Sequence, residues 1–182
     1  FNTRGTTYSG TSVIEKTGTT NDASSGGNTF VGNSTLTNSG SRYLLMGNGT
    51  SDSFGGNLTL TNIGTHYMYL AHNSVGNTVA GNLTINNIGS GSTNNIYLSN
   101  SSASTLTVAG TTTINNNSSA INSTIYVGDN GDLNLNGDLA LNNTSTGATG
   151  QILFANNTNS AITVTGNTTV TNTGSGATKR IY

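Results

Sequence analysis

Val79-Ala-Gly-Asn-Leu-Thr-Ile-Asn-Asn87 returns as Val108-Ala-Gly-Thr-Thr-Thr-Ile-Asn-Asn116, and again as Val164-Thr-Gly-Asn-Thr-Thr-Val-Thr-Asn172. The glycine in each phrase belongs to a series: Gly10, Gly32, Gly56, Gly81, Gly110, Gly137 and Gly166. The intervals are 22, 24, 25, 29, 27 and 29 residues. Two residues before each glycine stand Tyr8, Phe30, Phe54, Val79, Val108, Leu135 and Val164. Four residues after it stand Ile14, Leu36, Leu60, Ile85, Ile114, Leu141 and Val170. Even offsets are apolar or small and odd offsets are polar, so each phrase reads as a strand with one buried face.

Six residues after the glycine the column is Asn38, Asn62, Asn87, Asn116, Asn143 and Asn172, with Lys16 as the exception in the first unit. Even parity turns these amides inward. Stacked coils then place them in a ladder, each side chain bonding the next and the turn backbone, which satisfies buried polar groups. A second strand follows in later units, as Leu44-Leu45-Met46, Met68-Tyr69-Leu70, Ile96-Tyr97-Leu98, Ile125-Tyr126-Val127 and Ile152-Leu153-Phe154, beginning again at Ile181. The first unit lacks it, because Thr19 to Gly27 is polar. A third short strand feeds the next glycine, clearest as Leu106-Thr107-Val108 and Ile162-Thr163-Val164.

A unit of about 25 residues with three short strands cannot bury its own apolar face, and stacking copies in parallel solves this. The expected fold is all-β: a single parallel β-solenoid over residues 1–182, a three-faced β-helix of about six and a half coils of 22–29 residues. Crossover handedness favours the right-handed form. Neither end shows a recognisable cap, and the 182 residues read as an excerpt of a longer chain.

Composition agrees. Thr, Asn, Ser and Gly contribute 34, 30, 22 and 25 residues, so most of the chain is small, neutral and polar, while charged residues are only 6%. A net charge of -1 offers no footprint for nucleic acid or anionic lipid. No apolar run is long enough for membrane insertion as a helix. With no cysteine, disulfide frameworks and thiol chemistry are excluded. The absence of proline suits continuous ladders.

Motifs for chemistry are sparse. The acids are Glu15, Asp22, Asp52, Asp129, Asp132 and Asp138, and none recurs at the same offset in a neighbouring coil. No acid–base pair for glycoside cleavage is evident, so no enzymatic activity, catalytic residue, metal site or cofactor is expected. Asp132-Leu-Asn134-Leu-Asn136-Gly137 matches the opening of a calcium loop, but Leu133 and Leu135 belong to buried columns, which favours a plain strand. His66 and His72 read as surface residues. The sequons at Asn33, Asn57, Asn82, Asn122 and Asn167 read as accidents of composition.

Two outward features allow binding. Thr35, Thr59, Thr84, Thr113 and Thr169 stack in one column and Thr37, Thr61 and Thr171 in another, interrupted by Asn86, Asn115, Asn142 and Ala140. An ice-binding solenoid presents such an array, while threonine also simply suits an exposed strand. On the second strand Tyr69, Tyr97 and Tyr126 point outward, with Tyr182 next in the pattern. They form a contact stripe able to stack on sugars or dock a partner, or one that stabilises the sheet by cross-strand pairing.

The repeated phrases resemble those of very long surface adhesins in the Bacteroidota, of the SprB-like gliding-motility type exported by the type IX secretion system. The resemblance covers nearly the whole chain, more loosely before Phe30. It implies an extracellular, cell-surface filament that is moved along the cell by the gliding machinery and adheres to surface glycans or substratum. No segment here matches the family's C-terminal secretion signal or a lectin module. A structural stalk built from neighbouring repeats is the leading expectation. The alternatives are a carbohydrate- or ice-binding module and, behind it, a polysaccharide-degrading β-helix enzyme.

Overall fold

The computed structural model describes residues 2–181, which form an all-β parallel solenoid with three sheets. The first sheet stacks the strands that lead into the repeated glycines: Thr7–Tyr8, Thr29–Phe30, Ser53–Phe54, Asn77–Val79, Thr105–Val108, Asp132–Leu135 and Ile162–Val164. The second stacks those that leave them: Ser12–Lys16, Ser34–Asn38, Leu58–Asn62, Leu83–Asn87, Thr112–Asn116, Leu139–Asn143 and Thr168–Asn172. The third stacks Leu44–Leu45, Met68–Leu70, Ile96–Leu98, Asn122–Val127, Thr149–Phe154 and Thr178–Ile181.

Every strand pairing is parallel, and the register is the one the glycine spacing predicts. Ile14, Leu36, Leu60, Ile85, Ile114, Leu141 and Val170 are successive partners along the second sheet. The changes in coil length therefore fall in the turns, and the strands keep step. The inward residues form one continuous core that includes Phe30, Leu36, Leu60, Ile85, Ile114, Ile125 and Leu141. At one corner of it Tyr8, Phe30 and Phe54 stack, with ring centroids 4.6 Å apart at both steps. That spacing is the distance between adjacent strands, so ring stacking and backbone pairing reinforce each other.

The glycines at the coil corner follow from close approach. A Cβ on Gly32 would lie 2.8 Å from the Gly10 carbonyl oxygen, and one on Gly137 would lie 2.5 Å from that of Gly110. A second corner follows the third sheet. Ala71, Ser99, Gly128 and Ala155 each follow the last residue of a strand and share left-handed φ values of 56°, 51°, 64° and 45°. Three of these four positions carry a side chain, so neighbouring coils hold the turn against the intrinsic preference of L-residues.

The inward asparagines from Asn38 to Asn143 are fully buried and Asn172, in the last coil, is exposed; their ladder differs from the expected one. Side-chain amides join Asn38 to Asn62 (3.3 Å), Asn87 to Asn116 (3.2 Å) and Asn143 to Asn172 (3.1 Å). Asn62 and Asn116 reach the next coil differently, donating to the carbonyl oxygens of Asn95 and Gln151. Each Asn from 62 to 143 also donates to a carbonyl of its own turn: His66, Asn94, Ser123 or Gly150. An amide has two N–H groups, one for its own turn and one for the coil above, and either kind of oxygen satisfies the second. Lys16 imitates this at the first position. Its buried ammonium donates to the carbonyls of Gly18 and, one coil on, Arg42. Burial lowers its pKa, with Asp22 opposing the shift and Arg42 adding to it.

No third-sheet strand forms between Lys16 and Thr29, as the polar first unit predicts. At the first edge of this sheet a side chain stands where a strand would otherwise pair. The buried Asp22 carboxylate accepts the Leu45 N–H (2.8 Å) and is held by the Ser24 N–H and hydroxyl. A side chain thus satisfies a donor that a further strand would otherwise pair.

Candidate functional site

The outward face of the third sheet carries the aromatic stripe. Tyr69, Tyr97 and Tyr126 are register partners in consecutive coils. Their rings stack at 4.9 Å and 16°, then at 4.5 Å and 4°. Leu153 takes the next position in this column. Tyr182 lies outside the described residues.

The structure enlarges this stripe into a cluster. Tyr67 stands nearly perpendicular to both Tyr69 and Tyr97, at 88° and 78°. Tyr43 meets Tyr69 edge-on at 83°. His66 packs on Tyr67 (4.2 Å) and His72 on Tyr69 (4.6 Å). Both histidines, expected at the surface, are partly exposed there and pack as ring partners. Tyr43 and Tyr67 went unnoticed because each lies one residue before its strand. Parity was the available signal, since both sit two residues before an outward position.

Burial governs the cluster's protonation. Desolvation lowers the pKa of His66, helped by the positive fields of Arg42 and Lys16. It also lowers that of His72, against an Asn100 hydrogen bond. The Nδ1 atoms of both histidines are buried without a protein partner. The Tyr69 hydroxyl is pushed up to about 12, mainly by burial, and Tyr97 is shifted upward for the same reason.

The stacked tyrosines spend their faces on one another. What they offer outward is a row of edges and hydroxyls. Tyr43 and Tyr67, turned across the stack, have ring planes that run along the solenoid axis.

All six carboxylates bond to a neighbouring coil. Glu15 accepts from Ser39, Asp22 from Leu45, and Asp138 from the Asn167 N–H. Asp132 accepts the Ala161 N–H, and Asp129 accepts the amides of Asn100 and Asn156. Asp52 is buried and accepts from the Asn28 N–H and amide and the Gly47 N–H; desolvation nevertheless raises its pKa. The calcium-loop resemblance at Asp132 resolves as a strand, with Leu133 and Leu135 in the core.

Three of the sequon asparagines have a structural role that composition hid. The Asn33 side-chain oxygen accepts the Asn57 N–H (2.9 Å), Asn57 that of Asn82 (2.8 Å), and Asn82 that of Thr111 (2.9 Å). They form a corner ladder one residue after the repeated glycine, and Asp138 continues it. The signal was their common offset. On the second sheet the outward asparagines form a further ladder, Asn86–Asn115–Asn142, with both amide contacts at 2.9 Å. The positions that interrupt the threonine array are thus linked to one another.

Among the described residues, no three His, Cys, Asp or Glu side chains sit together as a metal cluster, and no helix is long and apolar enough to cross a membrane. Compared with protein-family models, curated proteins and solved structures, the chain matches none. The fold and the site together define a repeat protein of the β-solenoid class.

Proposed function

We propose that this chain is a stalk segment of a secreted bacterial surface adhesin, a rod that holds adhesive parts away from the cell. One observation carries the reading: all three sheets pair in register from coil to coil while the turns absorb every change in coil length. Such a chain converts sequence length into reach at about 4.8 Å per coil, so a thousand residues span roughly 190 Å. Its nearly uncharged surface of hydroxyls and amides is little affected by salt, which suits an external appendage. The segment has no catalytic role in this reading.

The repeated phrases extend the proposal to a gliding-motility adhesin of the SprB-like type, exported by type IX secretion. The test is immunogold electron microscopy of intact cells that make the protein. The reading expects label outside the outer surface, on filaments that shorten when coils are deleted from the gene, together with loss of surface spreading. Label confined inside the cell would overturn it.

A further inference from the structure

The three outer faces are not alike. Of the aromatic side chains among the described residues, Tyr8, Phe30, Phe54 and Phe154 belong to the core or pack against it. The other five, Tyr43, Tyr67, Tyr69, Tyr97 and Tyr126, all lie on the outer face of the third sheet, with both histidines. A rod needs no such concentration. The second sheet achieves the same pairing with Thr and Asn outside.

We propose that this face binds a neutral polysaccharide strand lying along the solenoid axis. The ring arrangement sets the direction. The stack of Tyr69, Tyr97 and Tyr126 advances 4.5–4.9 Å per coil along the axis. Tyr67 and Tyr43 stand across it, with planes parallel to the axis, and make a wall beside the ridge. A pyranose chain offers apolar C–H faces to the wall and hydroxyls to the ridge of phenol groups.

Polar groups complete the match. Asn95 and Asn100 border the rings, at Tyr97 and His72. The charges beside the cluster are few and of both signs, with Arg42 exposed and Asp129 opposing it. The cations whose fields reach the cluster are Arg42 and Lys16, and Lys16 is buried with its ammonium bonded to carbonyls. Asp129 contributes the opposite sign at Tyr69. Rings with neutral donors and acceptors are a combination suited to uncharged sugars. This site goes beyond the stalk reading, which stands without it.

The experiment titrates the intact chain with cellohexaose and, separately, maltohexaose, followed by NMR of the tyrosine and histidine rings. At least one probe is expected to give saturable shifts confined to the cluster. Tyr67→Ala should weaken binding by about tenfold or more, and Tyr67→Phe should restore most of it. Thr84→Ala, on another face, should leave it unchanged. If Tyr67→Ala disturbs folding, the wild-type ring shifts still decide the question. The proposal is overturned if neither probe saturates by about 10 mM, or if shifts spread over all faces. It is equally overturned if sedimentation shows that this face pairs two copies of the chain.

Discussion

Asn87 and Asn116 lie 29 residues apart and one directly above the other, and the Asn87 amide donates to the Asn116 side-chain oxygen across 3.2 Å with both residues fully buried. Asn115, the next residue along the same strand, makes a similar bond to Asn86, but on the outer face. The two bonds share chemistry and differ in solvent.

Their energetic weights therefore differ. Asn116→Ala removes the buried donor to the Ser123 carbonyl, the part-buried donor to the Gln151 carbonyl and the acceptor of the Asn87 amide. It should destabilise the chain by about 2–3 kcal/mol. Asn115→Ala exposes its partners to water and should lower stability by less than about 1 kcal/mol. Urea unfolding of the two variants checks the contrast; equal losses would mean that the inner ladder is not buried.

The left-handed corner gives substitutions of opposite sign. Ala155 is exposed at φ 45°, so Ala155→Gly relieves strain without opening a cavity and should stabilise by about 1 kcal/mol. Gly128→Ala, at φ 64°, adds a Cβ within 2.9 Å of an Ile162 side-chain carbon and should destabilise. Thermal melts of both variants read the signs directly.

Acid should weaken the fold through the histidines. Their pKa values are lowered in the folded state, so below about 6.5 the unfolded chain binds more protons. The stability they confer is complete above 6.5 and is lost as pH falls toward their folded values. Asp52 acts in the opposite sense. Its raised pKa makes the folded chain the better proton acceptor, so stability rises as pH falls through that value toward 3.8. The pairing of His66→Gln with His72→Gln should flatten the decline between pH 6.5 and about 5, measured by urea midpoints. At the alkaline end Tyr69, with its pKa near 12, should ionise well after an ordinary tyrosine. A 295 nm titration of Tyr69→Phe against wild type should show the loss of that late step.

Turns and strands should tolerate insertion very differently. Two glycines between the exposed Ser90 and Gly91 lengthen a turn that already varies between coils, at a cost of about 1 kcal/mol or less. One residue inserted between Ile114 and Asn115 sends Asn115 inward and Asn116 outward, and should prevent cooperative folding. Circular dichroism melts distinguish the two.

These contrasts mark what the sequence could and could not reveal. The columns through Ile85 and Asn87 were legible because alternation and glycine spacing are both local signals. The corner ladder of Asn33, Asn57 and Asn82 was marked only by its common offset from the glycines, because its bonds run from a side chain to a backbone one coil away and nothing in a single unit reveals them. Asp22 in place of a strand, and left-handed Ala71, Ser99 and Ala155, were hidden for a related reason: tertiary neighbours impose conformations that composition disfavours. The stripe at Tyr69, Tyr97 and Tyr126 was visible, but its perpendicular partners Tyr43 and Tyr67 lie just outside the strand pattern.

Superposition of coils is most directly tested as a ruler. The chain has no cysteine, so spin labels placed at Thr35, Thr59 or Thr84, each paired with one at Thr169, report five, four or three coil steps without background. Pulsed dipolar spectroscopy should give backbone separations of about 24, 19 and 14 Å, falling by one strand spacing per coil removed. Separations that do not change with the number of intervening coils would contradict the stacked solenoid.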